Sequence, residues 1–457
     1  MPTPELEQLL TDEKVRPNER PTQVCCFDLS DPLSVELLLS HLYETEVVIE
    51  GAPSKMLFWA ERDKEGKVSS PRQIHVLDTV DSQLERLFLI QHPSLISRYK
   101  RREPEVLAQL AAFRTETLGD QPANFGVAFY YPKERVLLRS VGPELDKILR
   151  TASNRGLISP EEQERLRQFN VCFLGLSVGS SSLYRWQQEA DPIRIIGGDP
   201  DGLEQSNLNR ILAGRWDIGE NKAVLAKEQV FGHNPYVEAE LSSQGLALAK
   251  NAQGVDMVQE YLLQKALNTV ESIDYLPEEA ITAVLDEIAE IVSRQENFGQ
   301  MFGDIDAIVE EMDDLRMKIL ARLSARRLGI PLLMASDMGD TVLLDIERYD
   351  LNRERPIFNA PVAPKTVLKA IAFPSPESFA SVATAITGKK EMPANFAQAL
   401  GRIGTELIAP PQLASTIACA SGIVTIRLRE IALGEEQIPS RRELYNFKNF
   451  EFRLIPL

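Results

Sequence analysis

Cysteine and histidine are both scarce, with four of each in 457 residues. Four cysteines cannot staple a chain of this length, so a disulfide framework is excluded and a reducing compartment fits. Cys25 and Cys26 are adjacent and make no CxxC knuckle, while Cys172 and Cys419 stand alone. His41, His75, His92 and His233 fall at no metal-ligand spacing, so no zinc is expected. Apolar runs of bilayer length are missing, and Met1-Pro2-Thr3-Pro4-Glu5 lacks the basic-then-apolar pattern of a secretory leader. The expected location is the cytoplasm, with no membrane partner. Positive charge is also short: 50 Lys and Arg against 67 Asp and Glu leave a net charge of -17, which repels polyphosphate backbones at long range. The stretch Arg150–Arg167 is mixed rather than basic, so nucleic acid is disfavoured as a partner. No internal repeat or low-complexity tract is present.

What remains is an ordinary globular composition, and 457 residues exceed what one core usually serves, so two or three domains are expected. Residues up to Gln23 are polar and proline-punctuated and read as frayed or loosely docked. Beyond them, Val24–Leu29 reads as a strand, Pro32–Tyr43 as a helix, and Lys55–Ala60 as a strand entering a turn at Asp63–Lys67. Gln73–Val80 reads as a strand, and Asp81–Ile90 and Glu103–Phe113 as helices. Phe125–Tyr131 and Arg135–Val141 read as a hairpin. This α+β region, 1–145, carries no motif to which chemistry attaches.

From Ser159 the pattern sharpens. A serine before Pro160-Glu161-Glu162 combines an N-cap, a first-turn proline and first-turn acids. Val171–Leu174 then reads as a buried parallel strand, and Gly175-Leu176-Ser177-Val178-Gly179-Ser180-Ser181-Ser182 as a small-residue turn into a helix. Ile193–Ile196 ends at Gly197-Gly198-Asp199-Pro200-Asp201. Ser206-Asn207-Leu208-Asn209-Arg210, Asp217-Ile218-Gly219 and Asn221-Lys222 follow. Further helices are expected over 221–231 and 252–267, with an acidic helical insertion over 269–297. Ile305–Val309 reads as a strand ending at Asp313, then come a helix over 315–328 and a strand over 331–335. Strands alternating with helices predict an α/β unit, a Rossmann-like, mostly parallel sheet with flanking helices. Residues 351–457 read as a C-terminal helical extension, with a helix over 411–433 and a final strand near 447–455.

The strand, turn, helix, strand, acid order is that of a nucleotide-binding βαβ unit. Gly175 allows a tight turn, and Ser177, Gly179 and Ser180 let backbone approach a phosphate at a helix N-terminus, although the spacing departs from GxGxxG. Asp199 can accept from both ribose hydroxyls, which suits NAD and ATP equally; Asp201 reads as a loop cap. Arg210, Lys222 and Asp313 favour ATP. A dinucleotide reductase has no need of a cationic pair after its second strand, whereas an enzyme splitting ATP between its α- and β-phosphates does. Asn207 and Arg210, three apart, can face one ligand, with a planar fork at Arg210 and a point charge at Lys222. A carboxylate at Asp313, over the crevice, can hold magnesium. Each has a plainer role: Arg210 in a surface ion pair, Lys222 as a helix-start charge, Asp313 as a cap. An NAD(P)-dependent oxidoreductase and a non-catalytic scaffold stand as alternatives.

The block Val171–Pro235 resembles the ThiF/MoeB/HesA family of ubiquitin-activating-enzyme-like adenylyltransferases, in a variant bacterial subgroup. The likeness runs through the glycine turn, Asp199-Pro200-Asp201, Ser206–Arg210, Asp217-Ile218-Gly219 with Asn221-Lys222, and Asn234-Pro235. It spans residues 150–350 and, with the upstream Asn154–Glu162, implies an ATP-binding adenylation domain over 146–350. The resemblance implies that Asp199 binds ribose, that Asn207, Arg210 and Lys222 bind the triphosphate, and that Asp313 serves magnesium. The reaction it implies is attack of a carboxylate, on a peptide, a small carrier protein or a small acid, upon the α-phosphate of ATP. A homodimer is implied as well. Two departures stand out. Ser153 occupies a place where many members carry an arginine, for which Arg155 is the candidate substitute. No cysteine is evident for a thioester relay, because Cys419, amid small apolar residues, reads as core packing.

Overall fold

The structure, a computed structural model, describes residues 24–49, 52–59, 72–388, 390–434 and 438–456. The N-terminal stretch to Gln23 and the turn expected at Asp63–Lys67 lie outside the described residues. The chain falls into two units, 1–157 and 158–457.

In the first unit, β1 (Cys25–Asp28), β6 (Val127–Tyr131), β7 (Val136–Ser140) and β5 (His75–Asp78) form a sheet in the order β1-β6-β7-β5. The expected hairpin is present as the antiparallel β6–β7 pair. A second sheet joins β2 (Leu42–Ile49), β3 (Ala52–Trp59) and β4 (Arg72–Gln73). Trp59 stacks on Tyr130 with ring centroids 3.9 Å apart and is buried with Phe27 and Leu38. Among the described residues four α-helices of at least eight residues, Pro32–His41, Val80–Gln91, Pro104–Leu118 and Pro143–Arg150, accompany these sheets.

The second unit is built on one eight-stranded sheet. Its members are β8 (Val171–Leu174), β9 (Arg194–Gly198), β10 (Glu238–Ser242) and β11 (Ala307–Glu310), followed by β12 (Leu332–Met338), β13 (Thr341–Glu347), β14 (Arg441–Asn446) and β15 (Glu451–Ile455), in the order β10-β9-β8-β11-β12-β13-β14-β15. The pairings from β10 to β12 are parallel and those from β12 to β15 antiparallel. The parallel part is Rossmann-like: the chain winds from β8 outward to β10, returns to the other side of β8 as β11, and continues to β12. The turning point of that order lies between β8 and β11, where open α/β sheets open a crevice at the strand ends.

The residues of β8 explain why it sits at the centre. All four are buried, and their alternation feeds both layers, with Val171 and Phe173 on one face and Cys172 and Leu174 on the other. The first face is covered by the helices Pro160–Gln168, Gly179–Ala190, Lys222–His233 and Ala414–Ala432, with Trp186 fully buried among them. The second is covered by Met257–Gln264, Glu278–Ser293, Leu315–Leu328 and Pro364–Ala372. The cap at Ser159 forms as expected: its hydroxyl accepts from the Glu162 N–H at 3.2 Å, and the Glu162 carboxylate accepts from the Ser159 N–H at 2.8 Å.

Within the acidic stretch 269–297, Ile281, Val284, Leu285 and Ile288 bury one side of Glu278–Ser293 in the second layer. One expectation is corrected. The C-terminal part holds two strands rather than one. Arg441–Asn446 pairs with β13 and Glu451–Ile455 with β14, so residues 447–450 form a turn, and residues 351–457 belong to the same unit as the parallel strands.

Candidate functional site

Gly175 leaves β8 with φ +82°, a conformation that favours glycine, and a Cβ there would lie 2.7 Å from the Glu311 carbonyl carbon and oxygen. The paired register of Glu310 with Leu174 brings these two loops together. A Cβ at Gly179 would sit 3.5 Å from Cβ of Glu311. The glycines thus let the turn after β8 lie directly against the end of β11. Ser177 lies in this turn, and its hydroxyl is buried with no hydrogen-bond partner among the described residues.

Asp199, at the end of β9, is buried and anchored: one carboxylate oxygen accepts from the Leu176 N–H at 2.7 Å and the other from the Asp201 N–H at 2.9 Å. Burial raises its pKa, outweighing those N–H donors and Lys222. Asn221 caps its helix, accepting from the N–H groups of Ala223 and Val224. Its amide donates to the carbonyls of Asp199 and Asp201 at 3.0 and 3.2 Å. That cap delivers the next residue, Lys222, into the crevice. Buried, its ammonium lies 3.8 Å from the Asp199 carboxylate and donates to Asp201 at 2.9 Å. Asp201 therefore pairs with the lysine as well as shaping its loop.

Asn207 is buried and its side-chain oxygen accepts from the Glu204 N–H at 3.0 Å, so part of its capacity closes its own turn. Arg210 ends that turn; it donates to the Asn209 side chain at 2.9 Å, while its Nε is buried with no partner among the described residues. Burial lowers its pKa, against the charges of Asp337 and Glu204. Asp337, near the end of β12, accepts from Gln412 at 3.3 Å through one oxygen, and its other oxygen is buried without a partner among the described residues. Burial raises the Asp337 pKa. The Asn209 amide donates to the Gln412 carbonyl at 2.9 Å, tying the segment before Ala414–Ala432 to the Arg210 turn. Neither Asp337 nor Gln412 was singled out for the site from sequence, although Asp337 closes the stretch 331–337 that resembles the same bacterial subgroup.

Glu311 is the other omission. Its carboxylate accepts from the Ala335 N–H at 2.9 Å, and burial pushes it up to about 8. The two adjacent acids at the end of a strand, beside a compulsory glycine, were the available signal. Asp313 is exposed and is not the helix cap; Asp314 is, accepting from the Met317 N–H at 3.0 Å. Among the described residues no group of three or more His, Cys, Asp or Glu is arranged to hold a metal ion. Magnesium asks less of a protein, one or two carboxylates completed by phosphates and water, and the exposed Asp313 is the carboxylate that the sequence offers for it.

The structure therefore joins Asp199 to Lys222 directly, and Gly175 and Gly179 to Glu311. Arg210 is linked to Asp337 through charge. Arg155 belongs to the first unit, following the short turn Ala152–Asn154. Cys419 is corrected: it is exposed on Ala414–Ala432, not packed in the core. Among the described residues no helix is long and apolar enough to cross a membrane.

No family model matches the chain. It is 28% identical over 306 residues, 67% of its own length, to the uncharacterized protein MT1398 of Mycobacterium tuberculosis (strain CDC 1551 / Oshkosh), and that match spans 36% of the relative. Similar solved structures include the crystal structure of PaaA, with TM-score 0.42, 16% identity, and coverage of 69% of this chain and 84% of that one. E. coli MccB with ATP gives 0.36 and 14%, covering 65% of each chain. The microcin C7 biosynthetic enzyme MccB in complex with N-formylated MccA gives 0.36 and 12%, covering 91% of this chain and 95% of that one. At such TM-scores these likenesses carry no weight for function.

Proposed function

We propose that the second unit binds ATP with magnesium at the ends of β8, β9 and β11 and adenylates a carboxylate. The observation that carries this reading is the buried Lys222 ammonium held beside the Asp199 carboxylate at the end of β9. It supports a site that takes ribose hydroxyls and phosphate oxygens a few ångströms apart. The unpartnered Ser177 hydroxyl and Arg210 Nε add donors that a polyphosphate can fill. In this reading Asp199 accepts from the ribose. Asn207, Arg210 and Lys222 hold phosphate oxygens, and the turn from Gly175 to Gly179 supplies backbone N–H groups.

The site is also acidic: Asp199, Asp201, Asp313 and Asp337 outnumber Arg210 and Lys222. A bound magnesium ion, with Asp313 as its protein ligand, supplies the charge neutralisation that a triphosphate needs there. The substrate carboxylate oxygen attacks the α-phosphorus, the bond from that phosphorus to the bridging oxygen breaks, and pyrophosphate leaves with the bond electrons. The step needs in-line placement more than a general base, which suits a site without histidine. The carboxylate is that of a peptide, a small carrier protein or a small acid, and the acyl group passes directly to its acceptor. The chain acts as a homodimer. Exposure of Cys419 removes the packing case against a relay, so Cys419→Ser is the control for direct transfer.

Carboxylate-dependent exchange of pyrophosphate into ATP tests the reading, screened first with the C-terminal peptides of small proteins encoded nearby. Arg210→Ala and Asp313→Ala should each lower exchange by about 100-fold or more, by analogy with loss of one transition-state charge partner, with far-UV circular dichroism unchanged. Wild-type exchange in both variants, or a titration showing NAD(P) but no ATP binding, rejects it.

A further inference from the structure

We propose that the buried ion-pair chain Glu310–Arg322–Glu347, with Lys318, is a positioning device that presents the 311–313 loop to the nucleotide crevice. It rests on the ATP reading above. Glu310 and Arg322 are fully buried. One Glu310 oxygen accepts from Arg322 at 2.6 Å. The other accepts from the Lys318 ammonium at 2.9 Å and from the Met312 N–H at 2.8 Å. Arg322 in turn lies 3.1 Å from Glu347, whose carboxylate accepts from the Tyr349 hydroxyl at 3.0 Å.

The contact with the Met312 N–H is the informative one. A buried ion pair is a poor way to gain stability, since apolar residues of the same volume often do as well or better. Here a paired carboxylate also folds back onto the backbone two residues ahead. Met312 is thereby pinned from one side, and Asp314 is pinned on the other by its cap on Met317. Asp313 stands between the two and faces solvent. Glu311, preceding Met312, is held by its N–H to the Leu174 carbonyl at 2.8 Å and by its carboxylate to Ala335. The loop that carries the proposed magnesium carboxylate is thus fixed from the helix layer, by Glu310 and Arg322 side chains that are fully buried. That is how outer partners usually orient a metal ligand.

The test uses the full chain and ATP itself, with affinity measured by calorimetry in magnesium and in EDTA. The triple variant Glu310→Leu, Arg322→Met, Glu347→Gln replaces the ion pairs with apolar volume and keeps an acceptor for Tyr349. It leaves the Lys318 ammonium without its carboxylate, so it should unfold below the wild-type temperature, yet bind ATP in EDTA as the wild type does. The gain in ATP affinity that magnesium confers should fall by roughly tenfold or more. Asp313→Ala should lose the same gain, and adding it to the triple variant should cost nothing further, since residues acting through one another are not additive. A folded triple variant with the wild-type magnesium gain, or losses that add, overturns the inference. If the triple variant does not fold, Lys318→Met at the half-buried end gives the same readout, and an unchanged magnesium gain there overturns it equally. Wild type that binds no ATP rejects the functional reading itself, a result distinct from either of these.

Discussion

On the face of the sheet packed by Leu315–Leu328, Glu310 meets Lys318 and Arg322; one residue on, toward the glycine turn, Glu311 meets the N–H of Ala335. Burial would raise both carboxyls. At Glu310 the two cations outweigh it and hold the group below its ordinary value, whereas at Glu311 burial prevails and the carboxyl rises to about 8. Identical side chains at adjacent positions are thus shifted in opposite directions, down inside the helix layer and up beside the glycine turn. Glu310 is fully buried and Glu311 partly so, and what separates them is the pair of cations at Glu310, against like charges from Glu310 and Asp337 at Glu311.

The comparison can be broken most severely from the ionised side. Arg322→Ala leaves Glu310 and Glu347 buried without their shared cation and should cost about 3–5 kcal/mol, the usual penalty for stranding a buried charge. Denaturant unfolding measures it, and a loss below about 1 kcal/mol would show that Lys318 alone neutralises Glu310.

The neutral side is tested by pH. The folded-state pKa of Glu311 lies above its unfolded value, so the stability it contributes is full below about pH 4.3 and lost as pH rises through about 8. In EDTA, wild type should lose about 1.4 kcal/mol more than Glu311→Gln between pH 7 and pH 9. Parallel stability profiles for the two proteins would mean that Glu311 is ionised like its neighbour. The smallest effect belongs to the loop between them and the helix. Asp314→Ala removes the cap on Met317 and should cost about 1 kcal/mol in thermal unfolding. A much larger loss would mean that the cap, rather than Glu310, holds the loop.

Much of the parallel half was legible because its signals are local. The burial of Val171–Leu174, the cap at Ser159 and the turn forced by Gly175 each depend on neighbouring residues. Asn221 and Lys222 were legible for the same reason, one as cap and the other as the residue that cap delivers. Asp337 and Gln412 were not, since they lie 75 residues apart and meet only because β12 and the segment before Ala414–Ala432 come together. The final hairpin was misread as one strand because Phe447, Phe450, Phe452, Leu454 and Ile455 give the stretch 447–455 an apolar-aromatic character, and only the pairing of β14 with β13 and β15 shows where the break lies. Cys419 was misplaced because the alanines and serine around it say nothing about which side of the helix meets the sheet.

By itself the sequence determined the alternation of strands and helices, the position of the tight turn after β8, and the residue types carried to the ends of β9 and β11. These follow from periodicity, capping and glycine conformation, which act over a few residues. The tertiary structure decided the rest: the antiparallel extension from β12 to β15, the contact of Lys222 with Asp199, and the opposite pKa shifts of Glu310 and Glu311. Each depends on partners distant in the chain, and the charge state of a buried acid is set by what packs against it rather than by its place in the sequence.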